Sequence, residues 1–353
     1  MLRPVNIDTM SKANFTAHPY RFLGSFRFLL AFLVLISHSS DMTTPYIGRL
    51  ALGNVGVFMF FVLSGFVIFE ALDIFYKDSI KRFLINRFLR IFPTYWASLA
   101  FAMLALYATS SPKFANLDSL TILMNISLVG FYFSSPTIDS PFVISVAWAV
   151  IVELCFYLGA ASAYWIARTI GNTYYAFIGM AVGGLFGYLF CYLTDSYSRF
   201  FGYLQFAPYF MVGAALYIAL KMEKYRSLTL WIGLVSMALS VHAYIVYNSR
   251  DQSVAVTEST IGLVLAFATF VFCSRVLCSN NRFQSVDHSL GGMTYFLFLV
   301  HMSVIDVALH LKYDGLFGLA FVVLMSIATA FLLERLVERP LMRLRDRIRG
   351  ITL

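Results

Sequence analysis

Ten stretches of this chain are apolar over about the length that crosses a lipid bilayer, and they limit the fold more than any motif does. They lie at about 22–38, 53–74, 92–109, 143–167, 174–193, 200–220, 229–247, 254–274, 291–311 and 316–333. Each is close to the ~20 residues that a helix needs to cover the hydrocarbon. A backbone in hydrocarbon must satisfy its N–H and C=O groups internally, so runs of this length are helices. The expected fold is all-α and polytopic, with about ten transmembrane helices. Composition agrees, because only 12% of residues are charged, where a soluble domain carries about a quarter. Residues 1–21 are polar and end in Arg21. No small-residue cleavage site follows a short apolar core, so the first stretch reads as a retained span.

The net charge of +8 suggests nucleic acid until its distribution is followed. With the N-terminus inside and loops assigned alternately, twenty of the 26 Lys and Arg residues fall inside and five outside, Arg27 alone remaining within a span. The positive-inside rule therefore predicts both termini in the cytoplasm. The basic excess is a topology signal, and no nucleic-acid partner is expected. The chain divides into a cytoplasmic segment (1–21), a membrane domain (22–337) and a basic cytoplasmic tail (338–353), whose arginines would lie against anionic headgroups. The four cysteines have neither metal-ligand nor disulfide-framework spacing and read as buried small hydrophobes. One long outer loop, 110–142, carries an apolar stretch, Leu120–Phe133, that reads as a surface or partly inserted helix.

Several polar residues sit where membrane helices rarely carry them. Arg27 and His38 are eleven residues apart in or beside the first span. That separation is about three helical turns, so both share one face about 16 Å apart along the axis. An ionisable residue in a span is costly unless it faces protein or water, which makes function the default reading. Arg87 and Arg90 are three apart, hence neighbours on a helix, just before the third span. Planar guanidinium forks suit phosphate oxygens, although headgroup anchoring explains such a pair equally well. Glu153 is the one charged residue of the fourth span and must be protonated, paired or facing water. His242, Glu258, His301, Asp306 and His310 are weaker signals, because a single membrane histidine more often hydrogen-bonds a neighbouring helix. Glu70 and Asp73 stand where they can reach the inner surface, and Gly53, Gly56 and Gly65 read as helix-packing positions.

These residues together resemble acyltransferase family 3, the integral membrane acyltransferases. Arg27 and His38 match its basic-x₁₀-His element. Gly56-Val57-Phe58-Met59-Phe60-Phe61-Val62-Leu63-Ser64-Gly65-Phe66 matches its phenylalanine-rich stretch. Arg87-Phe88-Leu89-Arg90-Ile91-Phe92-Pro93 matches its paired arginines, and Trp148, Glu153, Phe156 and Tyr157 its tryptophan–glutamate element. Tyr295–His301 and Val337-Glu338-Arg339-Pro340 resemble later elements. Phe58 stands where many members have an acid, and Ala149 and Ile151 stand where hydroxyl residues often flank the glutamate.

The resemblance implies a multi-pass enzyme of the bacterial inner membrane that moves an acyl group, most often acetyl, from cytoplasmic acetyl-CoA to a hydroxyl of an extracytoplasmic glycan such as an exopolysaccharide or O-antigen. On that reading His38 and Glu153 are the catalytic candidates, and Arg27, Arg87 and Arg90 face the donor. Trp148 faces the acceptor, membrane lipids surround the chain, and no metal is required. His38 would act as general base or carry a covalent acyl group. A proton-coupled carrier is the main rival, since intramembrane acids and a polar stripe suit it too; against it, no two spans in matching halves are interrupted by Gly or Pro. A non-catalytic scaffold is the third reading.

Overall fold

A computed structural model describes residues 23–40, 52–111, 117–128, 142–194, 200–247 and 281–349, with Phe114 and Gly262. Its α-helices are α1 (Leu23–His38), α2 (Leu52–Ile74), α3 (Ile80–Ala108), α4 (Ser119–Ser127), α5 (Trp148–Ile170), α6 (Tyr174–Thr194), α7 (Ala207–Lys221), α8 (Arg226–Tyr247), α9 (Asn281–His310), α10 (Gly315–Leu333) and α11 (Arg339–Arg349). There is no strand among the described residues. Among the described residues, seven helical segments are long and apolar enough to cross a membrane. Nine of the ten expected spans coincide with helices, and the one at 254–274 lies, but for Gly262, outside the described residues. With 16 residues, α1 rises about 24 Å, somewhat less than the ~30 Å hydrocarbon core.

Hydrophobicity all round a helix marks a central one, and α2 fits that rule, being buried along nearly its whole length. It packs most extensively on α7, while α1 packs on α9 and α2. Glycine makes the first seam possible. A Cβ at Gly65 would stand 1.9 Å from the Phe210 carbonyl oxygen, and one at Gly213 would stand 1.8 Å from that of Val62. Small residues that let backbones approach are a standard way to join helices in lipid, where no hydrophobic drive operates between them. The expectation for Gly65 as a packing site is met, and Gly56 likewise faces the Leu30 carbonyl oxygen of α1. On the outside of the bundle, Phe186 and Leu193 of α6, Trp231 of α8 and Leu324 of α10 are exposed, as lipid-facing side chains should be.

A carboxylate fastens α1 to α9. The first N–H groups of a helix have no partner within it. Here Asp287 of α9 accepts from Gly24 N at 3.2 Å and from Ser25 N and Ser25 Oγ, both at 2.7 Å. This contact sets the height of α1 against α9, and with it the position of every side chain along α1.

Four expectations are corrected. The third span was expected to start at 92, but α3 begins at Ile80, where the Ser79 hydroxyl accepts from Arg82 N. It runs through Pro93, as membrane helices can when nearby hydroxyls take up carbonyls; Thr94 Oγ1 donates to Arg90 O and Ser98 Oγ to Thr94 O. Arg87 and Arg90 therefore belong to the spanning helix itself. The basic tail does not simply lie against headgroups. After a π-helical turn, Glu334–Glu338, the chain continues as α11, which packs on α3 and buries Arg345 to 5% exposure. Glu70, expected to reach the surface, is buried, whereas Asp73 pairs with Lys221 and accepts from Tyr217 OH at 2.6 Å. The outer-loop helix expected over 120–133 is shorter, Ser119–Ser127, capped by Asp118 and tied to α3 through Tyr95 OH to Asn125 O and Trp96 Nε1 to Ile126 O. Residues 129–141 lie outside the described residues.

Candidate functional site

Helices α1, α3, α5 and α9 bring the polar residues of the spans together in two groups. The first gathers arginines around one carboxylate. Glu153, in the second turn of α5, accepts from Tyr157 OH at 2.6 Å and from Ser64 Oγ of α2 at 2.8 Å, both on Oε1. The charges of Arg27, Arg87, Arg90 and Glu153 act on one another across this space, with the Tyr157 hydroxyl among them. Arg87 is 3% exposed. Its guanidinium lies 5.2 Å from the Phe83 ring centroid and 5.5 Å from that of Tyr157, and its Nε has no hydrogen-bond partner. The Tyr295 hydroxyl of α9, also buried and without a hydrogen bond, feels the charges of Glu153 and Arg90. A buried polar atom left unpaired costs about 1–3 kcal/mol. Several of them around excess positive charge make a place suited to an anion.

The second group stands at the other end of α1. His38 is exposed, and its Nδ1 lies 3.1 Å from Nε2 of His301 on α9. The two rings stack with centroids 5.1 Å apart. His301 is fully buried, and its Nδ1 lies 3.2 Å from the Leu297 carbonyl oxygen. A carbonyl only accepts, so His301 Nδ1 carries the hydrogen. In a neutral imidazole the other nitrogen is then the acceptor. His38 Nδ1 must therefore donate to His301 Nε2, which leaves the lone pair of His38 on Nε2.

Arg27, His38, Glu153 and Trp148 lie on the spans expected to carry them, Arg87 and Arg90 lie on α3 rather than before it, and the six divide in an unexpected way. Arg27, Arg87, Arg90 and Glu153 form one group and His38 belongs to the other. Trp148, the first residue of α5, joins an aromatic cluster with Phe61 at 6.2 Å and Phe206 at 5.3 Å between centroids. Phe58, standing where relatives often have an acid, stacks on Tyr209 at 4.5 Å in the same neighbourhood. Ala149 and Ile151 bring no hydroxyl to Glu153, and the hydroxyls that bond it come from Ser64 and Tyr157. The role of His301 was missed. Its signal was a histidine near the middle of a span, but its partner is 263 residues away in sequence. Among the described residues no cluster of His, Cys, Asp or Glu is arranged to hold a metal.

No curated protein and no solved structure matches the chain. The family model described as an acyltransferase domain matches residues 20–335, which takes in every residue of both groups and stops just short of Val337-Glu338-Arg339-Pro340. That match covers most of the chain, so this multi-pass membrane protein belongs to acyltransferase family 3 and is an acyltransferase.

Proposed function

We propose that the protein transfers an acyl group, acetyl in the first instance, from cytoplasmic acyl-CoA to a hydroxyl of a glycan on the far side of a bacterial inner membrane. The observation that carries the reading is the pairing of His38 with His301 on the same helix that places Arg27 among the arginines and Glu153. One side chain face thus joins a phosphate-binding end to a general base. The positive-inside distribution of Lys and Arg puts the arginine end in the cytoplasm, where the donor is, and both termini with it.

Arg87 and Arg90 hold donor phosphates, and Arg27 meets the start of the pantetheine arm. Glu153 keeps the guanidinium groups apart and oriented, its own charge held by Tyr157 and Ser64. The thioester then reaches His38. His38 Nε2 takes the proton of the acceptor hydroxyl as its oxygen attacks the thioester carbonyl carbon. Collapse of the tetrahedral intermediate breaks the C–S bond, and the leaving thiolate takes the proton back from the imidazolium. His301 Nε2 accepts from His38 Nδ1–H throughout and so steadies the charged ring. Unperturbed imidazole titrates near neutrality, which suits this exchange. Trp148 and the aromatic cluster around it offer faces on which a sugar ring can stack.

The test is acetyl-CoA binding and transfer by detergent-purified protein. His38→Ala should bind acetyl-CoA as wild type does and transfer no acetyl. Full transfer by that variant would sink the reading, as would a wild-type protein that does not bind acyl-CoA.

A further inference from the structure

The eleven residues of α11, which follow the π-helical turn, reach into the candidate site. Helix α11 lies beyond the residues matched by the family model, yet it is packed on α3 beside Arg87 and Arg90. Asn86 Nδ2 donates to the Arg345 carbonyl oxygen at 3.1 Å, which fixes α11 one residue from Arg87. Glu338 pairs with Arg345 and accepts from Thr94 Oγ1 at 3.4 Å. Arg349, with Asp346 at 3.6 Å, keeps its guanidinium over Phe75.

These contacts leave positive charge uncompensated. Arg345 is 5% exposed and Arg87 3%. Nε of Arg87, of Arg345 and of Arg349, and Oδ1 of Asn86, are all buried without a hydrogen-bond partner. Arg27, Arg87, Arg90, Arg345 and Arg349 face the carboxylates of Glu153, Glu338 and Asp346, so five cations meet three anions. Buried cations without counter-charge are strongly unfavourable, and a polyanion relieves that. The arginines also have an order. Along α2, Gly56 meets Leu30 of α1, about one turn from Arg27, Ser64 meets Glu153, and Phe75, just past the end of α2, meets Arg349. Arg349 therefore stands at the end farthest from Arg27.

An acyl-CoA has the matching order: pantetheine arm, then diphosphate, then the ribose 3′-phosphate at the far end. We propose that α11 completes the donor site, with Arg345 and Arg349 binding the 3′-phosphate while Arg87 and Arg90 hold the diphosphate. This rests on the acyl-CoA reading above and adds to it a second element and a named phosphate.

The experiment is calorimetric binding of acetyl-CoA and of 3′-dephospho-acetyl-CoA to the full-length protein in detergent. Arg349→Gln and Arg345→Gln are compared with wild type, and melting without ligand reports folding. Charge-assisted hydrogen bonds of this kind correspond to about a tenfold change in affinity or more. Each variant should bind acetyl-CoA about tenfold more weakly and the dephospho donor as wild type does. Should Arg345→Gln lose its fold with the Glu338 pair, Arg349→Gln still carries the comparison. Equal weakening for both donors, or none for either, overturns the role of α11 while acetyl-CoA binding by wild type keeps the wider reading in place. A wild type that binds neither donor overturns both.

Discussion

The two ends of α1 are built on opposite principles. Around Arg27 the site is crowded: arginines from α3 and α11, a carboxylate held by two hydroxyls, and buried nitrogen atoms without partners. Around His38 it is spare, one exposed imidazole steadied by one buried imidazole. Charge in excess is what a polyanionic ligand needs, and it binds through many contacts of which none is indispensable. A proton transfer needs one lone pair in one orientation. Damage should therefore be graded at the first end and nearly complete at the second.

Four measurements put that contrast to the test. The largest effect is expected from His38→Ala, which should lower transfer by about a thousandfold, within the usual range for losing a general base, with acetyl-CoA affinity unchanged. Arg87→Ala/Arg90→Ala should weaken acetyl-CoA binding about a hundredfold, leave turnover at saturating donor near wild type, and reduce the salt dependence of binding. Loss of turnover at saturation would erase the distinction between the two ends. His301→Ala should slow transfer about tenfold to a hundredfold without changing donor affinity, as losing the group that orients a functional histidine commonly does. His301→Asn, which keeps an acceptor, should recover part of the rate. The smallest effect is expected from Asp287→Ala. Freeing the first N–H groups of α1 should cost about 1–2 kcal/mol of stability, read as a lower melting temperature. Because α1 carries both Arg27 and His38, binding and transfer should then decline together.

The sequence showed the two ends unequally. Arg27, His38, Arg87, Arg90 and Glu153 could be read because each is a costly residue in an apolar run, and its cost is visible without any partner. Helix type and nearly all span positions followed from the same apolar runs. What could not be read were the pairings across helices: Ser64 with Glu153, His301 with His38 and Asp287 with the start of α1. A hydroxyl or a histidine in a span has many ways to be satisfied, and only tertiary packing chooses among them. Two expected boundaries misled in the same direction. The third span was expected from 92 and the tail from 338, yet α3 begins at Ile80 and the chain runs on from α10 through a π-helical turn into α11. Arg87 and Arg345 were placed too near the surface for that reason.

The glycine seam between α2 and α7 has a consequence for how an acyl group gets across. With carbonyl oxygens resting directly on Gly65 and Gly213, no Cβ separates the two backbones at these points. Sliding either one by a single residue would drive a Cβ into a backbone. A machine that alternates between inward and outward shapes needs surfaces that can shear, and the middle of this bundle is keyed shut against shear. On the function proposed above, the frame stands still and the cargo moves: a flexible thioester arm threads a standing track from the arginines to the histidine, and the covalent bond it makes at the end replaces the swing of a gate.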